Sequence, residues 1–194
     1  MRTFLSLFSC WLLLSGSISQ APPAAFPDVP TITENSVGKA RIGMPVAKLK
    51  ELYKGCTFTP VHLLPYGFDD TNAKPGGVLV KSGSQRLFLY FADWQTKKKV
   101  AGLLAFHPAY KTAIGVHVGT TSGQLKTVLP TVQVVPNMML PEFQIAFSGS
   151  MEKPGLEYIF LKQPELGKYV VADEPTHITV TTGRISWIQI RAKN

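Results

Sequence analysis

The sequence reads as an α+β protein made of two similar units. Each is a short helix packed on an antiparallel β-sheet, with strands outnumbering helices. Three observations predict this. Short alternating apolar runs, broken by glycine- and lysine-containing turns, fill the chain from Val78 onward. Two segments carry apolar residues at helical spacing. Those two segments also superimpose on each other at one constant offset, which points to an internal repeat.

The chain opens with Met1-Arg2-Thr3, an apolar run from Phe4 to Leu14, and small residues up to Gln20. One positive charge, a short apolar core and a small-residue end are the parts of a secretory signal peptide. The run is too short for the roughly 20 apolar residues of a membrane span. Ser17 and Ser19 place cleavage after Ser19, so residues 1–19 are read as leader and the protein as extracytoplasmic, periplasmic or secreted. Leu7-Phe8-Ser9-Cys10 loosely resembles a lipoprotein box, but Trp11 to Leu14 continue the apolar run past the cysteine, and no lipid anchor is expected. Residues 20–36, with Pro22, Pro23, Pro27 and Pro30, read as a stiff proline-rich tether. The first helix-on-sheet unit is expected over 37–112 and the second over 113–194.

In the first unit, Ile42-Gly43-Met44-Pro45 turns the chain into a helix of about three turns, with Val46, Leu49, Leu52 and Tyr53 on one face and Lys48, Lys50, Glu51 and Lys54 left to water. In the second, Val118-Gly119-Thr120-Thr121 does the same, with Leu125 and Val128 at the matching places and Lys126 opposite Lys50. Pro45 suits a first-turn position, and Thr121 with Gln124 has capping-box spacing. Helices this short need a sheet to pack on. Strands follow at Val78–Val80, Arg86–Phe91 and Val100–Phe106. In the second unit they fall at Val132–Val135, Phe143–Phe147, Leu156–Leu161, Ile178–Thr182 and Arg184–Arg191, the last two joined by a hairpin break at Thr182-Gly183. Val100, Leu103 and Ala105 match Ile185, Ile188 and Ile190 in spacing, so each unit closes on a corresponding strand. The picture is of two short sheets side by side.

The pattern carried by Ile42-Gly43-Met44-Pro45 with Leu49, and by Val118-Gly119-Thr120-Thr121 with Leu125, resembles the small outer-membrane-assembly lipoproteins of the SmpA/OmlA type. Its tandem duplication is similar to the β-lactamase inhibitor protein. The resemblance implies this fold, an envelope location and a protein-binding bias, and carries over no functional residue. Lipoproteins of that type keep a cysteine directly after the leader and the inhibitor's repeats are disulfide-stapled, whereas Cys56 stands alone here once Cys10 has left.

No catalytic motif emerges. His62, His107, His117 and His177 are scattered, with no His-x-x-x-His and no paired cysteines, so no metal or cofactor is expected. Cys56 has no histidine base nearby and reads as a buried thiol. Asp69-Asp70-Thr71-Asn72 lacks calcium-loop spacing and reads as a polar turn. Neither Gly83-Ser84 nor Gly149-Ser150 has the flanking glycines of a nucleophile elbow. The 45% apolar composition fills a core, and the net charge of +8 favours anionic partners. The tight basic run Lys97-Lys98-Lys99 reads as a turn between strands, with Trp94 just before it. Trp94, Lys97, Lys98, Lys99, Asp69 and Asp70 are therefore the expected partner contacts. The expected function is a non-catalytic binding or assembly-support protein of the cell envelope. Its partner would be another envelope protein or an anionic envelope surface, with no nucleic acid and no further transmembrane segment. A secreted hydrolase with an unfamiliar site and a basic glycan- or lipid-binding protein are the alternatives.

Overall fold

The computed structural model describes residues 30–68, 74–138, 140–150, 155–171 and 174–191. The expected leader 1–19, most of the tether and the Asp69-Asp70 turn lie outside the described residues. The chain is a mixed α+β protein in which strands far outnumber helices.

It begins with three short strands, β1 (Thr31–Thr33), β2 (Ser36–Val37) and β3 (Ala40–Arg41), followed by helix α1 (Val46–Leu52). Four strands then run up and down: β4 (Thr57–Val61), β5 (Gly77–Ser82), β6 (Gln85–Ala92) and β7 (Val100–Ala105). After β8 (Lys111–Thr112) and helix α2 (Ser122–Val128) come β9 (Gln133–Pro136), β10 (Phe143–Phe147), β11 (Glu157–Leu161), β12 (Thr176–His177) and β13 (Trp187–Arg191). β8 pairs in parallel with β1, completing a small sheet of order β3-β2-β1-β8. Among the described residues the main sheet has nine strands in the order β12-β9-β10-β11-β13-β7-β6-β5-β4, and its neighbours are antiparallel throughout.

The sequence reading set two sheets side by side; β7 and β13 instead pair edge to edge and make one sheet. Leu103 faces Ile190, Leu104 faces Gln189 and Ala105 faces Ile188. Both edge strands suit their positions. β4 carries Pro60, which a central strand cannot accommodate without losing a ladder hydrogen bond, and β12 is only two residues long.

One face of the sheet carries both helices. Leu49 and Leu125, each with no exposed surface, join Tyr53, Phe88, Leu103, Phe160, Ile188 and Ile190 in the larger core. The turns into the two helices are bonded alike. Gly43 and Gly119 have φ of 77° and 91°, a left-handed conformation in which glycine avoids the Cβ clash. Gly43 N donates to Val100 O and Gly119 N to Ile185 O, both at 2.8 Å. In return, Val100 N donates to Met44 O and Ile185 N to Thr120 O. Val46 N then reaches Lys98 O, and Ser122 N reaches Gly183 O, at the same offsets.

Several expectations need correction. Each helix spans seven residues, two turns rather than three. Pro45 is the N-cap residue of α1, one place before the first turn, while Thr121 and Gln124 form the capping box as read. The fold begins before Val37: Ile32 is 3% exposed in β1, so residues 31–36 are not tether. Residues 178–182 form no hairpin with the last strand. Thr179 N and Val180 N both donate to Leu166 O, Gly123 N takes Thr181 O and Ser122 Oγ takes Val180 O, so this stretch spends its backbone on α2 and on Leu166. Lys126 is exposed yet not idle, because its Nζ donates to Ile178 O at 2.9 Å. Cys56 is half-buried against the core rather than fully buried.

Candidate functional site

The turn joining β6 to β7 holds four of the six expected contact residues. Trp94 is 78% exposed, an unusual position for the side chain with the largest apolar surface. Lys97, Lys98 and Lys99 are exposed beside it. The turn between them is held by Asp93. The Asp93 carboxylate accepts from the backbone amides of Thr96 at 2.7 Å, Lys98 at 3.0 Å and Lys99 at 3.0 Å, and from Thr96 Oγ1 at 2.8 Å. Asp93 N donates to Lys99 O and Lys97 N to Asp93 O, closing the loop on its own backbone. These amides, that of Lys99 foremost and then that of Thr96, hold the Asp93 carboxyl well below the usual carboxylate range. Lys97 adopts a left-handed φ of 57°, which the closed loop imposes. Val46 N, donating to Lys98 O at 2.9 Å, seats the start of α1 against the turn. The result is a fixed tip whose single carboxylate is consumed internally and whose cations and indole face outward.

The sequence reading missed Asp93 and missed a second cluster on the face away from the helices. There Glu157, 6% exposed, accepts from Gln189 Nε2 and, at 2.7 Å, from Arg191 Nη2. The Arg191 guanidinium lies 5.9 Å from the Phe68 ring, which packs on Phe91 at 4.9 Å. Phe91 in turn covers Gly102 so closely that no Cβ would fit. Nearby, Trp187 packs against Tyr66, Phe106 and Phe143, with ring centroids 5.3–6.2 Å away. Its buried Nε1 has no hydrogen-bond partner among the described residues. Tyr66 and Phe68 belong to the β4–β5 connection, whose part up to Phe68 packs on the outer face. Asp69 and Asp70, next along that connection, lie outside the described residues. The sign of this cluster in the sequence is the alternation of Glu157 with Ile159 and of Gln189 and Arg191 with Trp187, which places all five side chains on one face.

Among the described residues no three His, Cys, Asp or Glu side chains converge to hold a metal. His107 is pushed down by burial and its Nδ1 accepts from Ala109 N; His117 Nδ1 lies 2.8 Å from Val118 O. Burial pushes the phenols of Tyr158 and Tyr169 up to about 12, and Tyr169 donates to Gln144. A shallow, open hollow of about 230 Å³ lies between Ile114, His117, Gln124 and Val128. No helix of the described residues is long and apolar enough to cross a membrane.

No protein-family model matches the chain, and no curated protein matches it. Among solved structures, that of the uncharacterized protein YfeY from Escherichia coli is similar over 84% of this chain and 99% of its own, at 13% identity and a TM-score of 0.47.

Proposed function

We propose that this chain is an exported, non-catalytic binding or assembly-support protein of the cell envelope, built from two similar helix-on-sheet units. The observation that carries the binding role is the tip: a largely exposed tryptophan beside three lysines on a turn made rigid from within. An indole left largely in water adds little to the fold, and rigidity reduces the ordering cost of binding. The duplicated architecture is supported by the matching hydrogen bonds around Gly43 and Gly119 and by the register of β7 on β13. The closing strands, matched in sequence at Leu103–Ile188 and Ala105–Ile190, pair crosswise about Leu104 and Gln189, as two copies related by a two-fold axis would. Export rests on the leader-like residues 1–19, and the resemblance to SmpA/OmlA-type lipoproteins agrees with an envelope role.

Fractionation of producing cells tests this. Wild-type protein should sediment with the envelope, and a variant carrying Trp94→Ala with Lys97→Gln, Lys98→Gln and Lys99→Gln should move to the soluble fraction at unchanged Tm. Equal sedimentation of the two would remove the tip from the function.

A further inference from the structure

We propose that the partner of the β6–β7 tip is an anionic phospholipid surface, with the Trp94 indole seated at headgroup level and Lys97, Lys98 and Lys99 over the phosphates. This deepens the binding role proposed above and rests on it. Three features of the tip select this partner. The indole is amphipathic, and exposed tryptophans of this kind settle where hydrocarbon meets headgroup. The cations are lysines throughout, strongly hydrated point charges suited to a diffuse anionic layer rather than to a fixed bidentate acceptor. Lysine is depleted at protein–protein interfaces for the same reason. Finally, the acceptor capacity of Asp93 is taken up by the amides of Thr96, Lys98 and Lys99, and its one negative charge is outweighed by the three lysines, so the turn is net cationic. A sugar hydroxyl would therefore find no free carboxylate acceptor at the tip. On α1, which abuts the turn, Lys48 is paired with Glu51 at 3.0 Å, while the exposed Lys50 adds to the positive charge of the tip.

Vesicle co-sedimentation tests the proposal, using phosphatidylcholine alone and phosphatidylcholine mixed with phosphatidylglycerol. All proteins share one N-terminus and carry Trp11→Phe, so any contribution of residues 1–29 to partitioning is common to wild type and variants and the fluorescence reports Trp94 and the buried Trp187. Wild type should partition onto the anionic vesicles and much less onto the neutral ones. Each lysine neutralised to glutamine should lower partitioning about fivefold, and all three roughly a hundredfold. Vesicles with brominated acyl chains should quench the tryptophan fluorescence of wild type, and Trp94→Phe should abolish that quenching while leaving the fold intact by circular dichroism. Equal binding to both vesicle types, unchanged binding of the triple lysine variant, or quenching that survives Trp94→Phe would each overturn the proposal. Loss of envelope sedimentation in the tip variant, with no vesicle binding by wild type, would sink the lipid surface and leave a protein partner.

Discussion

Single residues set both the stability of this fold and the form of its tip. Leu49 and Leu125 are fully buried at matching places on α1 and α2. Replacing either with alanine should cost about 2–5 kcal/mol, read from urea midpoints. Lys50 and Lys126 occupy matching places too, yet their environments differ. Lys50→Ala should stay within about 0.5 kcal/mol, whereas Lys126→Ala loses the bond to Ile178 O and should cost about 0.5–1 kcal/mol. The apolar residue at each position was legible from helical periodicity; the lysine's partner was not, because it lies far along the chain. Asp93 gives a prediction in pH. Its carboxyl is depressed in the folded state, so the turn gains stability above the ordinary aspartate range and loses it as pH falls through the lower, folded-state value. Carbon NMR should find Asp93 still ionised at pH 3–4, where unperturbed aspartates protonate. Titration of Asp93 alongside exposed aspartates would show that the amides of Lys99 and Thr96 do not hold it.

Among the elements, α1 and α2 differ in how they start. The hydroxyl of Thr121 accepts from Gln124 N while Gln124 Oε1 accepts from Thr121 N, and α1 has no side-chain cap. Thr121→Ala should therefore cost about 1 kcal/mol, measurable by denaturant melts. In β7, Gly102 lies beneath the Phe91 ring, and Gly102→Ala should cost about 1–3 kcal/mol through overpacking. Strands with alternating apolar residues, such as Phe143–Phe147, were legible to the residue. β4 was not, because Pro60 argues against a strand unless that strand is known to lie at an edge. Residues 178–182 look like a strand by composition, but α2 and Leu166 compete for their backbone groups. Of the site, Trp94 and the lysine run were legible as residue types, and their rigidity was not. Asp93 three residues before Thr96 is a local turn signature, but its further bonds to Lys98 and Lys99 depend on how β7 returns beside β6.

At the scale of the whole molecule, the pairing of β7 with β13 makes one sheet out of strands that the sequence groups in two sets. A single sheet with a shared helix-side core should unfold as one cooperative unit. Tryptophan fluorescence and far-UV circular dichroism should give coincident transitions in wild type and in the Leu49→Ala and Leu125→Ala variants alike; two separated transitions would mean that the halves are independent. The sheet also fixes where the tip stands, since β6 and β7 lie well inside it and the turn projects from its end. In the proposed function a partner lies against this tip. Site-specific photo-crosslinking in intact cells tests it most directly, with the reactive side chain placed at exposed Gln95, between Trp94 and the lysines, and at Val170, 95% exposed on another loop. Abundant adducts are expected from position 95 that disappear when the three lysines are neutralised, and few from position 170. No adduct at 95, or equal labelling from both positions, would contradict it.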